Sequence, residues 1–159
     1  MKTIKFFFTI LFLLMISSGS SYAKNETVSF VAASPPPEGY ALVYVYRLKA
    51  LPMGGRANVM LDKRSIVKVS NHEYTWFYLN EGPHRMKIRW SALSNNPNLE
   101  FNFPAKSQQT YFLKITTGAG FNLFGGNTQA SVQGVDEASA LQELAGIKSY
   151  ELAAVQKVD

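Results

Sequence analysis

Few residues in this chain could carry chemistry. His72 and His84 are the only histidines, one ahead of a β-like run and one just after the turn proline Pro83. No acidic cluster accompanies them at metal-ligand spacing, so the pattern does not suggest a zinc site. The chain has no cysteine, which excludes thiol nucleophiles, cysteine metal sites and thiol redox chemistry. No Gly-x-Ser-x-Gly elbow is present, and the scattered acidic residues form no recognisable carboxylate pair for glycoside hydrolysis. "GAGFNL" (Gly118 to Leu123) begins like a dinucleotide fingerprint but has Leu123 where the third glycine belongs, with no helix following. No cofactor and no metal are expected. The loop instead reads as a β-connection whose Phe121 and Phe124 pack on a sheet edge; a partner-binding loop is the alternative. These residues favour a non-enzymatic domain over an enzyme.

The densest arrangement is "HEYTWFYLNEGPHRMKIRW", residues 72–90. If Asn80 to Pro83 is the loop of a hairpin, Leu79 faces His84, Phe77 opposes Met86 and Thr75 opposes Ile88. Alternation places these on one, mostly apolar face. The other face pairs Tyr78 with Arg85, Trp76 with Lys87 and Tyr74 with Arg89, an aromatic column beside a basic one. In the packing reading, which is preferred, the basic stems lie over the rings and shield them from water, about 0.5–1 kcal/mol per cation–π contact. In the ligand reading, Tyr74, Trp76 and Tyr78 stack on sugar rings while Arg85, Lys87 and Arg89 meet phosphate or carboxylate. A one-residue slip of register would invert the faces.

Elements of β type must position these residues. "ALVYVYRL" (Ala41 to Leu48) reads as a buried strand, and "NVMLDKRSIVKV" as a hairpin turning at Asp62-Lys63. Further strands follow in "NLEFNF" (Asn98 to Phe103), "QTYFLKITTG" (Gln109 to Gly118) and "TQASVQGV" (Thr128 to Val135). The period then changes. "DEASALQELAG" has Asp136 as helix N-cap, Ala138, Leu141, Leu144 and Ala145 at helical spacing, and Gly146 as stop. The tail, 146–159, is open between a second short helix and an irregular end. The expected fold is mainly β: an antiparallel β-sandwich of about seven to eight strands, immunoglobulin-like or prealbumin-like, with one C-terminal α-helix.

Ahead of the domain, Lys2 and Lys5, the 11-residue run "FFFTILFLLMI" and "SSGSSYA" have the three-part layout of a secretory signal peptide. Cleavage is expected after Ala23. The apolar run falls short of the roughly 20 residues a membrane span needs, so no transmembrane segment is expected after cleavage. Residues 24–39, with Pro35, Pro36 and Pro37, form a Pro-rich leader, and 40–145 the domain itself. Removing Lys2 and Lys5 takes the 16 basic residues to 14 against 11 acidic ones, a net charge of +3. That is too mild for nucleic acid but suits anionic envelope polymers. No cysteine is available for lipid attachment, so the expected location is periplasmic or secreted.

"PPPEGYALVYVYR", "NVMLDKRSIVKV", "YTWFYLNEGPHRMKIRW", "QQTYFLKITTGAGF" and "VQGVDEASALQEL" together resemble a family of bacterial exported domains of unknown function, the DUF2846 family. The turn "LNEGPHRMKI" also resembles the hairpin of surface domains named for their Pro-Glu-Gly-Ala motif. The resemblance spans roughly Glu38 to Leu144 and implies a small β-sandwich-like envelope protein with no assigned activity. Many relatives carry a lipidation cysteine; this chain has none, which favours a soluble form. The expected function is binding or structural association in the cell envelope, with an envelope glycan or an envelope protein as partner. The alternative is a module for anionic envelope glycans, using Tyr74, Trp76, Tyr78, Arg85, Lys87 and Arg89. A hydrolase would require a deep pocket with a histidine beside a carboxylate. A protein partner would require the Phe121 to Phe124 loop and the leader to form one exposed apolar patch.

Overall fold

A computed structural model describes residues 30–48, 55–91, 94, 96–120, 127–147, 150, 151, 153, 157 and 158. The expected signal peptide, Phe121 and Phe124 lie outside them. Nine strands and one helix are described, in the order β1 Tyr40–Arg47, β2 Ala57–Leu61, β3 Arg64–Val69, β4 Glu73–Asn80, β5 Gly82–Arg89, β6 Leu99–Ala105, β7 Thr110–Gly120, β8 Asn127–Val135, α1 Glu137–Ala145 and β9 Lys157–Val158.

The strands form two sheets, β8-β7-β1-β4-β9 and β3-β2-β5-β6, packed as a β-sandwich. The four-stranded sheet is antiparallel throughout. The mainly β sandwich with one helix is as expected; within the five-stranded sheet two of the pairings are parallel, β1 with β7 and β4 with β9. Among the described residues of the tail, Tyr150 bridges to Tyr74, and β9 lies along β4.

Alternation along each strand builds the core between the sheets. Val43, Val45, Phe77, Leu79, Leu113 and Ile115 come from one sheet, and Val59, Leu61, Met86, Ile88 and Phe103 from the other. A second apolar layer covers the outer face of the five-stranded sheet. There Leu42, Tyr44, Tyr46, Tyr74 and Phe112 pack beneath Ala140, Leu144 and Ile147, with Phe30 and Ala33 of the leader against them. Helix α1 has the expected boundaries: Asp136 accepts from the Ser139 amide at the N-cap, and Gly146 closes the C-terminus. Its packed face differs from the expected one. Ala140 and Leu144 are buried, whereas Ala138, Leu141 and Ala145 are exposed.

The hairpin β2–β3 turns where expected. Asp62 and Lys63 both adopt left-handed backbone, with φ of 46° and 73°, as a two-residue turn of matching twist requires. The expected hairpin between β4 and β5 does not form. β4 pairs with β1 and β9, while β5 pairs with β2 and β6, in the opposite sheet. One residue, Glu81, separates the two strands, and Gly82 at φ 142° turns the chain across the sandwich. Phe77 and Leu79 therefore meet Met86 and Ile88 through the core rather than across a ladder.

Candidate functional site

Burial of Met86 and Ile88 turns Arg85, Lys87 and Arg89 to the outer face of the four-stranded sheet. The ladder sets their neighbours. Asn58 lies between Lys68 on β3 and Arg89 on β5, and Met60 between Ser65 and Lys87; Lys87 then adjoins Glu100, and Arg85 adjoins Asn102. Four cations (Lys68, Arg85, Lys87 and Arg89) thus share one face with the Glu100 carboxylate. Glu100 accepts from Lys87 Nζ at 3.0 Å and lies 3.4 Å from Arg85. The hydrogen bond from Lys87, reinforced by both charges, holds the Glu100 carboxyl below its ordinary range.

Two clefts open on this face. The larger, about 490 Å³, is lined by Arg56, Asn58, Lys68, Arg89, Trp90 and Ser91, with no carboxylate among the described residues of its lining. Arg56 is held in place: its Nη2 donates to the Lys68 carbonyl at 2.7 Å and lies 3.1 Å from Glu151. Among the described residues, neither Lys68 nor Arg89 has a carboxylate partner. Behind the cleft, the Arg47 guanidinium sits 5.1 Å from the centre of the Trp90 ring. It donates to the carbonyls of Gly55 and Val69 at 2.8 and 3.1 Å, and so ties together the start of β2, the end of β3 and Trp90. The smaller cleft, about 240 Å³, is lined by Met60, Lys63, Arg85, Lys87, Arg89 and Glu100.

Tyr74, Trp76 and Tyr78 are not beside these cations. They point outward from the other sheet, where β4 pairs with β1, so the sandwich thickness of roughly 10 Å separates the two columns. The six-residue ligand face expected from the hairpin therefore does not exist as one surface. The aromatic half is packed. Phe30 meets Tyr74 edge-on at 5.4 Å, Tyr74 meets Tyr150 at 5.2 Å, and Trp76 meets Tyr78 at 5.4 Å. The Tyr78 hydroxyl donates to the Ser34 carbonyl, and the Ala33 amide donates to the Tyr44 hydroxyl at 2.7 Å. Burial raises the Tyr44 and Tyr46 hydroxyls above their ordinary range, and for Tyr46 the neighbouring Glu143 adds to the effect. Glu143 accepts from both Tyr46 and Lys114, which pins α1 to the sheet. This surface is a helix and leader docking face.

The two histidines are apart. His84 Nδ1 lies 2.6 Å from Asp62 Oδ2, and Nε2 lies 3.0 Å from the Asn80 carbonyl. Both ring nitrogens are thus occupied by structural partners, and among the described residues the Asn80 carbonyl, not the serine hydroxyl a Ser-His-Asp arrangement needs, meets Nε2. Asp62 also accepts from the Arg85 amide at 2.8 Å. Partial burial would raise the Asp62 carboxyl, but the Arg85 amide and the His84 ring outweigh it and hold it below the ordinary range. Among the described residues no three His, Asp or Glu side chains gather as metal ligands. No helix among them is long and apolar enough to cross a membrane.

Arg56, Asn58, Lys63, Lys68, Trp90 and Ser91 are site-lining residues that the sequence alone did not single out. The available signal was the outward position of Lys68 in "SIVKV", which becomes informative only once β2 is paired with β5. The chain matches no protein-family model and no curated protein sequence.

Proposed function

We propose that this is an exported, non-enzymatic cell-envelope protein that acts by binding, and that the outer face of its four-stranded sheet takes an anionic envelope glycan. The observation that carries the reading is the concentration of Lys68, Arg85, Lys87 and Arg89 around two open clefts, with Glu100 as the one carboxylate among the described residues that line them. An extended polyanion laid on such a face gains several charge-assisted hydrogen bonds at once, and the arginines offer the planar fork that matches phosphate and carboxylate. The N-terminal signal-like sequence and the resemblance to exported envelope domains support the location. The engagement of both His84 nitrogens by structural partners supports a binding role over hydrolysis.

Co-sedimentation of the processed protein with isolated sacculi and envelope polymer, at low and high salt, tests this. Binding is expected to fall with salt and to weaken about tenfold for each cation removed in Lys68→Gln, Arg85→Gln and Arg89→Gln. Trp76→Leu is expected to lower stability by about 1–3 kcal/mol and leave binding intact. Loss of binding in folded Trp76→Leu, with retention in the three cation variants, would return the site to the aromatic face.

A further inference from the structure

The larger cleft offers more than general attraction to polyanions. We infer that it is a specific site for a phosphate monoester carried on a sugar-sized polar body, an inference that rests on the binding role proposed above. Its charge balance favours phosphate. Of the three lining cations, Arg56 is matched by Glu151, whereas Lys68 and Arg89 have no carboxylate partner among the described residues. Two uncompensated cations suit a group carrying about −1.5 to −2 charge at pH 7 better than a single carboxylate. Arg56 adds a pre-oriented fork, since its contacts to the Lys68 carbonyl and Glu151 use fewer than its five N–H donors.

The size argues for a body beyond the phosphate. About 490 Å³ lies within the roughly 300–1,000 Å³ of pockets that hold whole small ligands. Asn58 and Ser91 supply an amide and a hydroxyl for sugar hydroxyl groups, and Trp90 supplies an apolar wall. That wall is fixed from behind by Arg47, which holds the ends of β2 and β3 to it. A site held this way loses little freedom on binding.

Calorimetric titration of the processed protein with glucose 6-phosphate, glucose and inorganic phosphate tests the inference. A parallel arm uses envelope polymer before and after phosphatase treatment. Glucose 6-phosphate is expected to bind at least about tenfold more tightly than either inorganic phosphate or glucose. Lys68→Gln and Arg89→Gln should each weaken it about tenfold, with Lys106→Gln, outside both clefts, as the unchanged control. Polymer binding that drops after phosphatase places the phosphate on the polymer; polymer binding that persists, with glucose 6-phosphate still bound, makes the free sugar phosphate the ligand. Glucose 6-phosphate binding no tighter than inorganic phosphate, or unaffected by Lys68→Gln, overturns the inference. If the polymer still binds in that case, the broader basic face survives and only the cleft assignment falls. If neither binds, both fall.

Discussion

Arg47 and Glu73 face one another across the β1–β4 ladder, and both are buried, at 2% and 6% exposed. Burial lowers the Arg47 guanidinium from its ordinary value, and the Glu73 charge opposes that shift. A buried charge persists when its desolvation is offset by opposite charge and hydrogen bonds, and breaking such a set leaves an uncompensated ion. Arg47→Leu is therefore expected to destabilise the protein by about 3–5 kcal/mol in urea unfolding, with the double variant Arg47→Leu/Glu73→Leu recovering part of that loss. Equal stability of wild type and Arg47→Leu would show that Arg47 does not tie the sheets together. Asp62 gives a residue-scale prediction with a sign in pH. Its folded value is lowered, so its ionised carboxylate stabilises the fold fully above about pH 4, and the contribution is lost as pH falls through the lowered value. Asp62→Asn keeps a residue suited to left-handed backbone and should cost about 1 kcal/mol at pH 7. The cost should shrink towards zero as the pH is lowered to about 2. A pH-independent difference would mean that the carboxylate charge contributes nothing.

The step from β4 to β5 shows at the element scale what a sequence leaves undecided. A hairpin and a strand pair that crosses between sheets share the same local signature: alternating apolar residues, then Asn, Gly and Pro, then alternation again. The inward positions Phe77, Leu79, Met86 and Ile88 were legible because alternation fixes them in either case. The neighbours of the outward residues were not, because those depend on which distant strand fills each sheet position. The β2–β3 hairpin and the α1 caps were legible for the opposite reason, since both rest on contacts within a few residues. The parallel β1–β7 pairing and the two-residue β9 rest on long-range contacts and have no local signal. Gly82 carries the sheet change. At φ 142° it occupies backbone that side chains rarely adopt, while a Cβ there would meet no atom within 4 Å. Gly82→Ala is expected to cost about 1–3 kcal/mol through backbone strain alone, measured by thermal or urea unfolding. A neutral substitution would mean that the corner does not depend on this conformation.

Across the whole molecule, charge and aromatic surface are segregated by the sandwich. The five-stranded sheet buries its outer aromatics under the leader and α1, leaving Val31 and Leu141 as the large exposed apolar side chains among the described residues. Among the described residues no helix lies over the outer face of the four-stranded sheet, which carries the cations. One face is covered to complete the fold; the other is the face proposed above for the ligand. The measurement that tests this division most directly is mapping of amide chemical-shift changes by NMR as soluble anionic envelope glycan is added. The changes are expected on Asn58, Lys68, Arg85, Lys87, Arg89 and Ser91, to weaken as salt is raised, and to leave Tyr74, Trp76 and Tyr78 in place. Changes centred on Tyr74, Trp76, Tyr78 and the leader, with the basic face unaffected, would contradict the account.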